Sequence, residues 1–100
     1  MNQSVNYHLL AISGSLRQAS LNTVLARALS EIAPDGVFVS AITLHDIPLY
    51  NADADGDSPP KGVRDLRNAI TACDGLILVS PEYNYGMPGV LKNALDWASR

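Results

Sequence analysis

Two short segments of the 100-residue chain gather the residue types that could do chemistry. The first runs Gly14-Ser15-Leu16-Arg17-Gln18-Ala19-Ser20-Leu21-Asn22-Thr23. Ser15, Ser20, Asn22 and Thr23 are short hydrogen-bond donors, and Arg17 adds a fixed cation with a fork of N–H groups. Where such a segment joins a strand to a helix, the open N–H groups of the first helical turn also favour an anion. Together these groups could surround one terminal phosphate. Taken alone, the plainer reading is the stronger one: Ser20 caps a helix, Gly14 serves a turn and Arg17 is solvated.

A pyrophosphate is a poor match for this segment. A P-loop needs G-x-x-x-x-G-K-[ST] and a dinucleotide fingerprint needs G-x-G-x-x-G, whereas Gly14 stands alone here. Extra glycines let backbone close on a pyrophosphate; hydroxyls and one Arg suit a monophosphate. The chemistry points to FMN rather than NAD or ATP.

The second segment is Ser80-Pro81-Glu82-Tyr83-Asn84-Tyr85-Gly86-Met87-Pro88-Gly89. Its prolines stiffen the backbone, and its glycines permit close approach. A flat heteroaromatic ring needs such an edge, with polar contacts on one side and apolar cover elsewhere. A tight turn whose tyrosines cover the core explains the same residues equally well.

Positioning these segments requires alternating strands and helices. Residues 9–12, Leu-Leu-Ala-Ile, form a short apolar run without alternation, which reads as a strand buried on both faces. Leu21, Val24, Leu25, Ala28, Leu29 and Ile32 then make one apolar helical stripe, N-capped by Ser20 and stopped by Pro34-Asp35-Gly36. A second strand spans residues 37–42, and the Asp-, Gly- and Pro-rich residues 51–60 are expected to be exposed. A second helix carries Val63, Leu66, Ile70 and Cys73 on one face, and residues 76–79 make a third strand. A third helix, with Pro88 at its first position, aligns Leu91, Ala94, Leu95 and Ala98. The order β-α-β-α-β-α predicts a parallel sheet with helices on both faces. Ligands bind such sheets beyond the carboxyl ends of the strands, where both polar segments fall.

Composition narrows the possibilities further. The 47% hydrophobic content suits one small domain, and a net charge of −3 with seven scattered Lys and Arg offers no stripe for nucleic acid. The apolar runs are far shorter than the ~20 residues that span a bilayer, so no membrane partner is expected. Met1-Asn2-Gln3-Ser4 lacks the cationic start of a secretory signal, and Cys73 is the lone cysteine. A cytoplasmic, metal-free protein is expected. Cys73 reads as an inert core thiol and Trp97 as core or interface. His8, before the first strand, and His45, after the second, read as solvated or capping, and Asp53, Asp55 and Asp57 as a solvated loop.

The chain resembles the NADPH-dependent FMN reductase family, which includes quinone, azo-dye and chromate reductases. The resemblance is carried by Ser13-Gly14-Ser15-Leu16-Arg17 with Ser20 and Asn22, and by Asp46-Ile47-Pro48-Leu49-Tyr50. Pro81-Glu82-Tyr83-Asn84 and Pro88-Gly89 with Leu91-Lys92-Asn93-Ala94 and Asp96-Trp97 complete it. Two loops in the right order on the right elements outweigh the plainer reading of each.

The resemblance implies an α/β flavodoxin-like three-layer fold and non-covalent FMN. Ser15, Arg17, Ser20 and Asn22 would bind the phosphate, and Pro81, Glu82, Tyr83 and Asn84 would border the isoalloxazine. The implied reaction passes hydride from NADPH or NADH to FMN, then to a small acceptor such as a quinone, azo compound or chromate. The flavin carries that chemistry, so no catalytic acid, base or nucleophile is expected. A homodimer or homotetramer is implied. An electron-transfer module like flavodoxin is the alternative, and an inactive truncated fragment is another.

A flavodoxin-like sheet has five strands in the order 2-1-3-4-5, and this chain supplies three. Residues 1–100 are therefore expected to be the N-terminal part of a single FMN-binding domain. The third strand is expected to be an open edge, and the first and third helices to show part of their apolar stripes to water.

Overall fold

The computed structural model describes residues 6–16, 21–80 and 87–99. Its elements are β1 (Tyr7–Ser13), α1 (Leu21–Ile32), β2 (Val37–Ile42), α2 (Lys61–Ala72), β3 (Gly75–Val79) and α3 (Gly89–Ala98), with a 3₁₀ turn at Ala52–Ala54. The β-α-β-α-β-α order is the one expected. The strands pair in parallel in the order β2-β1-β3, as in the first three strands of the expected sheet.

β1 is central, so its side chains are covered on both faces, and Leu10, Ala11 and Ile12 are buried in succession. It extends beyond residues 9–12 because Tyr7 and His8 pair with Val37 and Phe38. His8 is therefore not ahead of the strand but within it. Its Nε2 lies 2.6 Å from Ser40 Oγ, and its ring meets that of Phe38 at a tilt of 48° with centroids 5.0 Å apart.

Alternation sorts the sheet into two cores. Leu10 and Ile12 point to α2 and α3, where they meet Leu44, Leu66, Leu91 and Ala94. Ala11 and Val79 point the other way, with Val39, and meet Ala26 of α1. The apolar stripe of α1 is mostly uncovered: Leu21, Val24, Leu25 and Ile32 are 52–83% exposed. The helix ends before Gly36, whose φ of 85° needs a residue without Cβ.

β3 is an edge strand, and Leu76 and Leu78 are exposed along it, as expected. The expectation for α3 holds only weakly. Leu91, Ala94 and Trp97 are buried and Leu95 and Ala98 are half-buried, because α2 and the loop after β2 cover them.

Two helix ends also differ from expectation. Cys73 is the C-cap of α2 rather than a helical residue; half-buried, it packs against the core beside Ile70, as expected of a core thiol, with its sulfur 3.1 Å from the Ile70 carbonyl. Pro88 is the N-cap of α3 rather than its first helical residue, since its ψ of 147° is extended.

Candidate functional site

The end of β1 is fastened to its surroundings before the first polar loop begins. The Gly14 N–H donates to the Val79 carbonyl at 2.8 Å, holding the strand ends level. Ser13 Oγ lies 2.8 Å from Thr23 Oγ1, and both side chains are buried. This bond joins the carboxyl end of β1 to the first turn of α1. Ser13 and Thr23, on either side of the polar segment in sequence, are thus fixed together.

Ser15 is only 5% exposed, unusual for a hydroxyl in a loop, and Asn22 is half-buried in the first turn of α1. That turn contains no acidic residue, so none of its own side chains opposes an anion at the helix start. Short polar side chains, buried or half-buried, thus gather at a helix start, a set chemically suited to a phosphate. Arg17, Ser20, Pro81, Glu82, Tyr83 and Asn84 lie outside the described residues, as does the Ser20 cap.

A third strap crosses from the loop after β2. Pro48 accepts hydrogen bonds from Asn93 Nδ2 at 2.7 Å and Trp97 Nε1 at 2.8 Å. Tyr50 N–H donates to Asn93 Oδ1 at 2.7 Å, and the Tyr50 ring meets Trp97 edge-on at 4.8 Å. Residues 46–50 are thereby held against α3, the helix that opens just after residues 81–86. Trp97, expected in a core or an interface, is completely buried.

Arg67 completes the strap. It donates to the Trp97 carbonyl from Nε at 3.1 Å and from a terminal nitrogen at 2.7 Å. It also pairs with Asp55 at 3.0 Å. Asp55 is thus not part of a solvated loop, unlike the exposed Asp53 and Asp57. The Asp-rich composition of residues 51–60 concealed this, because Arg67 reaches Asp55 from the next helix. Gly62 belongs to the same joint: a Cβ there would overlap the Asp46 carbonyl oxygen, so no other residue lets α2 lie so close.

A cleft of about 210 Å³ opens between Leu16, Leu44, His45, Leu49, Val90 and Asn93, beside the first loop and the start of α3. A larger one, about 360 Å³, lies along β2 between Arg27 and Asp65, and none of the described residues of the two polar segments lines it. Among the described residues, the smaller cleft borders both polar segments, at Leu16 and at Gly89.

The family model for NADPH-dependent FMN reductase matches residues 7–100. The chain belongs to this family. Among curated members it is 43% identical over 94 residues to a quinone reductase of Pseudomonas putida, covering 94% of the chain and 50% of that protein. It is 48% identical over 89 residues to a 2-hydroxy-1,4-benzoquinone reductase of a Burkholderia species, covering 89% of the chain and 48% of that protein. Among solved structures, FerB of Paracoccus denitrificans, a flavoenzyme NAD(P)H:(acceptor) oxidoreductase, superposes with a TM-score of 0.83. There the identity is 36%, covering 94% of this chain and 51% of FerB. The fold of this FMN reductase family member is flavodoxin-like, and the chain spans about half the length of the relatives it matches. Among the described residues, no helix is long and apolar enough to cross a membrane.

Proposed function

We propose that the chain binds FMN at the carboxyl end of its sheet and forms part of a reductase that uses NADPH or NADH. The acceptors are small oxidised molecules such as quinones, azo compounds or chromate. The observation that carries this reading is the Ser13–Thr23 bond, which sets the strand end against the helix start with buried Ser15 between them.

In this reading Ser15, Arg17, Ser20 and Asn22 hold the phosphate, with the first-turn N–H groups of α1 adding their partial positive charge. Pro81, Glu82, Tyr83 and Asn84 border the isoalloxazine, chiefly through backbone groups. FMN, when bound, supplies the ring that takes hydride from the nicotinamide and gives it to the acceptor. The protein's own task is to bind, orient and shield, so no side chain is assigned a proton transfer. The strap of Asn93, Trp97 and Arg67 keeps residues 46–50 in place beside that site. The protein acts in the cytoplasm as a homodimer or homotetramer, with no membrane or nucleic-acid partner.

Steady-state oxidation of NADPH and NADH by the full chain, with and without a quinone, tests the activity. Turnover that requires both FMN and the quinone is expected. A protein that binds FMN but oxidises neither nucleotide would be an electron-transfer module instead.

A further inference from the structure

The carbonyl of Leu16, immediately before Arg17, is held by a residue outside the loop. His45 Nε2 lies 3.1 Å from the Leu16 oxygen. A carbonyl can only accept, so Nε2 donates to it, and Nδ1 lies 2.9 Å from the Thr43 hydroxyl oxygen, within hydrogen-bond distance. Thr43 thus orients the ring, and the ring orients the Leu16 peptide.

We propose that His45 is a positioning residue for the phosphate-binding loop. The proposal rests on the reading of residues 15–22 as that loop. The start of the loop is held by Gly14 on Val79 and by Ser13 on Thr23. His45 adds a hold at Leu16, so that less freedom is lost when the anion arrives. An imidazole reaching across from the end of β2 does this without touching the phosphate. His45 also lines the cleft of about 210 Å³, which ties the loop to residues 44–49.

The test is a comparison of FMN with riboflavin, which lacks the phosphate, by quenching of flavin fluorescence in the full chain. His45→Ala is expected to weaken FMN about three- to tenfold, the worth of one net hydrogen bond, and to leave riboflavin unchanged. His45→Gln, whose amide N–H can reach the same carbonyl, is expected to restore most of the loss. Equal weakening of both flavins, or wild-type FMN affinity in His45→Ala, would overturn the proposal. Should His45→Ala fail to fold, Thr43→Val makes the same comparison, since it removes only the hydroxyl that orients the ring. A smaller loss confined to FMN is expected there, and no loss overturns the proposal. A wild type that binds both flavins equally contradicts the phosphate-loop reading itself, and the proposal with it.

Discussion

On one face of the sheet, Leu10 and Ile12 lie beneath two helices and a loop strapped down by Asn93, Trp97 and Arg67. On the other, Ala11 and Val39 lie beneath α1 alone, whose larger apolar side chains face outward. The first face has large residues, long-range hydrogen bonds and a half-buried ion pair. The second is covered by one helix, with Ala11 and Ala26 at its centre and Val39, Val79 and the half-buried Leu29 around them. The larger buried side chains and the long-range polar bonds therefore gather on the α2–α3 face, while α1, whose first turn belongs to the proposed phosphate site, lies close on the sheet through small residues and leaves its outer stripe exposed.

This asymmetry can be broken most severely at Trp97. Trp97→Ala removes a fully buried ring and the donor to Pro48, and should cost about 3–5 kcal/mol in urea unfolding. A loss below about 1 kcal/mol would mean that the strap contributes little. Gly62→Ala comes next, because the added methyl forces α2 away from the Asp46 carbonyl. Overpacking of this kind costs about 1–3 kcal/mol, and a melting temperature equal to wild type would contradict the close contact.

The ion pairs sharpen the same contrast. Arg67–Asp55 is largely withdrawn from water, whereas Lys61–Asp65 and Lys92–Asp96 are exposed i,i+4 pairs. A double-mutant cycle should give no more than about 0.5 kcal/mol for either exposed pair and a larger coupling for Arg67–Asp55. Equal couplings would place Arg67 among ordinary surface residues.

The smallest stability effects are expected on α1. Leu25→Gln and Ile32→Gln should change the unfolding free energy of residues 1–100 by no more than about 0.5 kcal/mol. They should nonetheless reduce self-association in light scattering, because exposed apolar area promotes it. A destabilisation approaching that of Trp97→Ala would show that the outer stripe of α1 is covered after all.

Periodicity and turn chemistry made the elements legible, because each depends on residues close in sequence. The run at 9–12 located β1, the β2 bounds matched, and Pro34-Asp35-Gly36 marked the end of α1. The covered state of α3 was not legible, since it depends on Pro48 and Tyr50 bonding to residues 43–49 positions away. The pairing of Asp55 with Arg67 and the bridge from His45 to Leu16 were hidden for the same reason: no local pattern announces a partner from another element. At the candidate site, the polar composition of residues 14–23 was readable, but the burial of Ser15 and the Ser13–Thr23 bond required the fold.

The central claim is that residues 15–22 bind a monophosphate, and the most direct test is the affinity of the full chain for FMN relative to riboflavin, with Arg17→Ala alongside. FMN is expected to bind at least tenfold more tightly than riboflavin, since each charge-assisted hydrogen bond contributes about 1.5–3 kcal/mol. Arg17→Ala should remove ten- to a hundredfold of FMN affinity, Arg17→Lys should recover only part of it, and riboflavin should bind as before. Equal affinities for the two flavins, or an Arg17→Ala variant that binds FMN like wild type, would contradict the account.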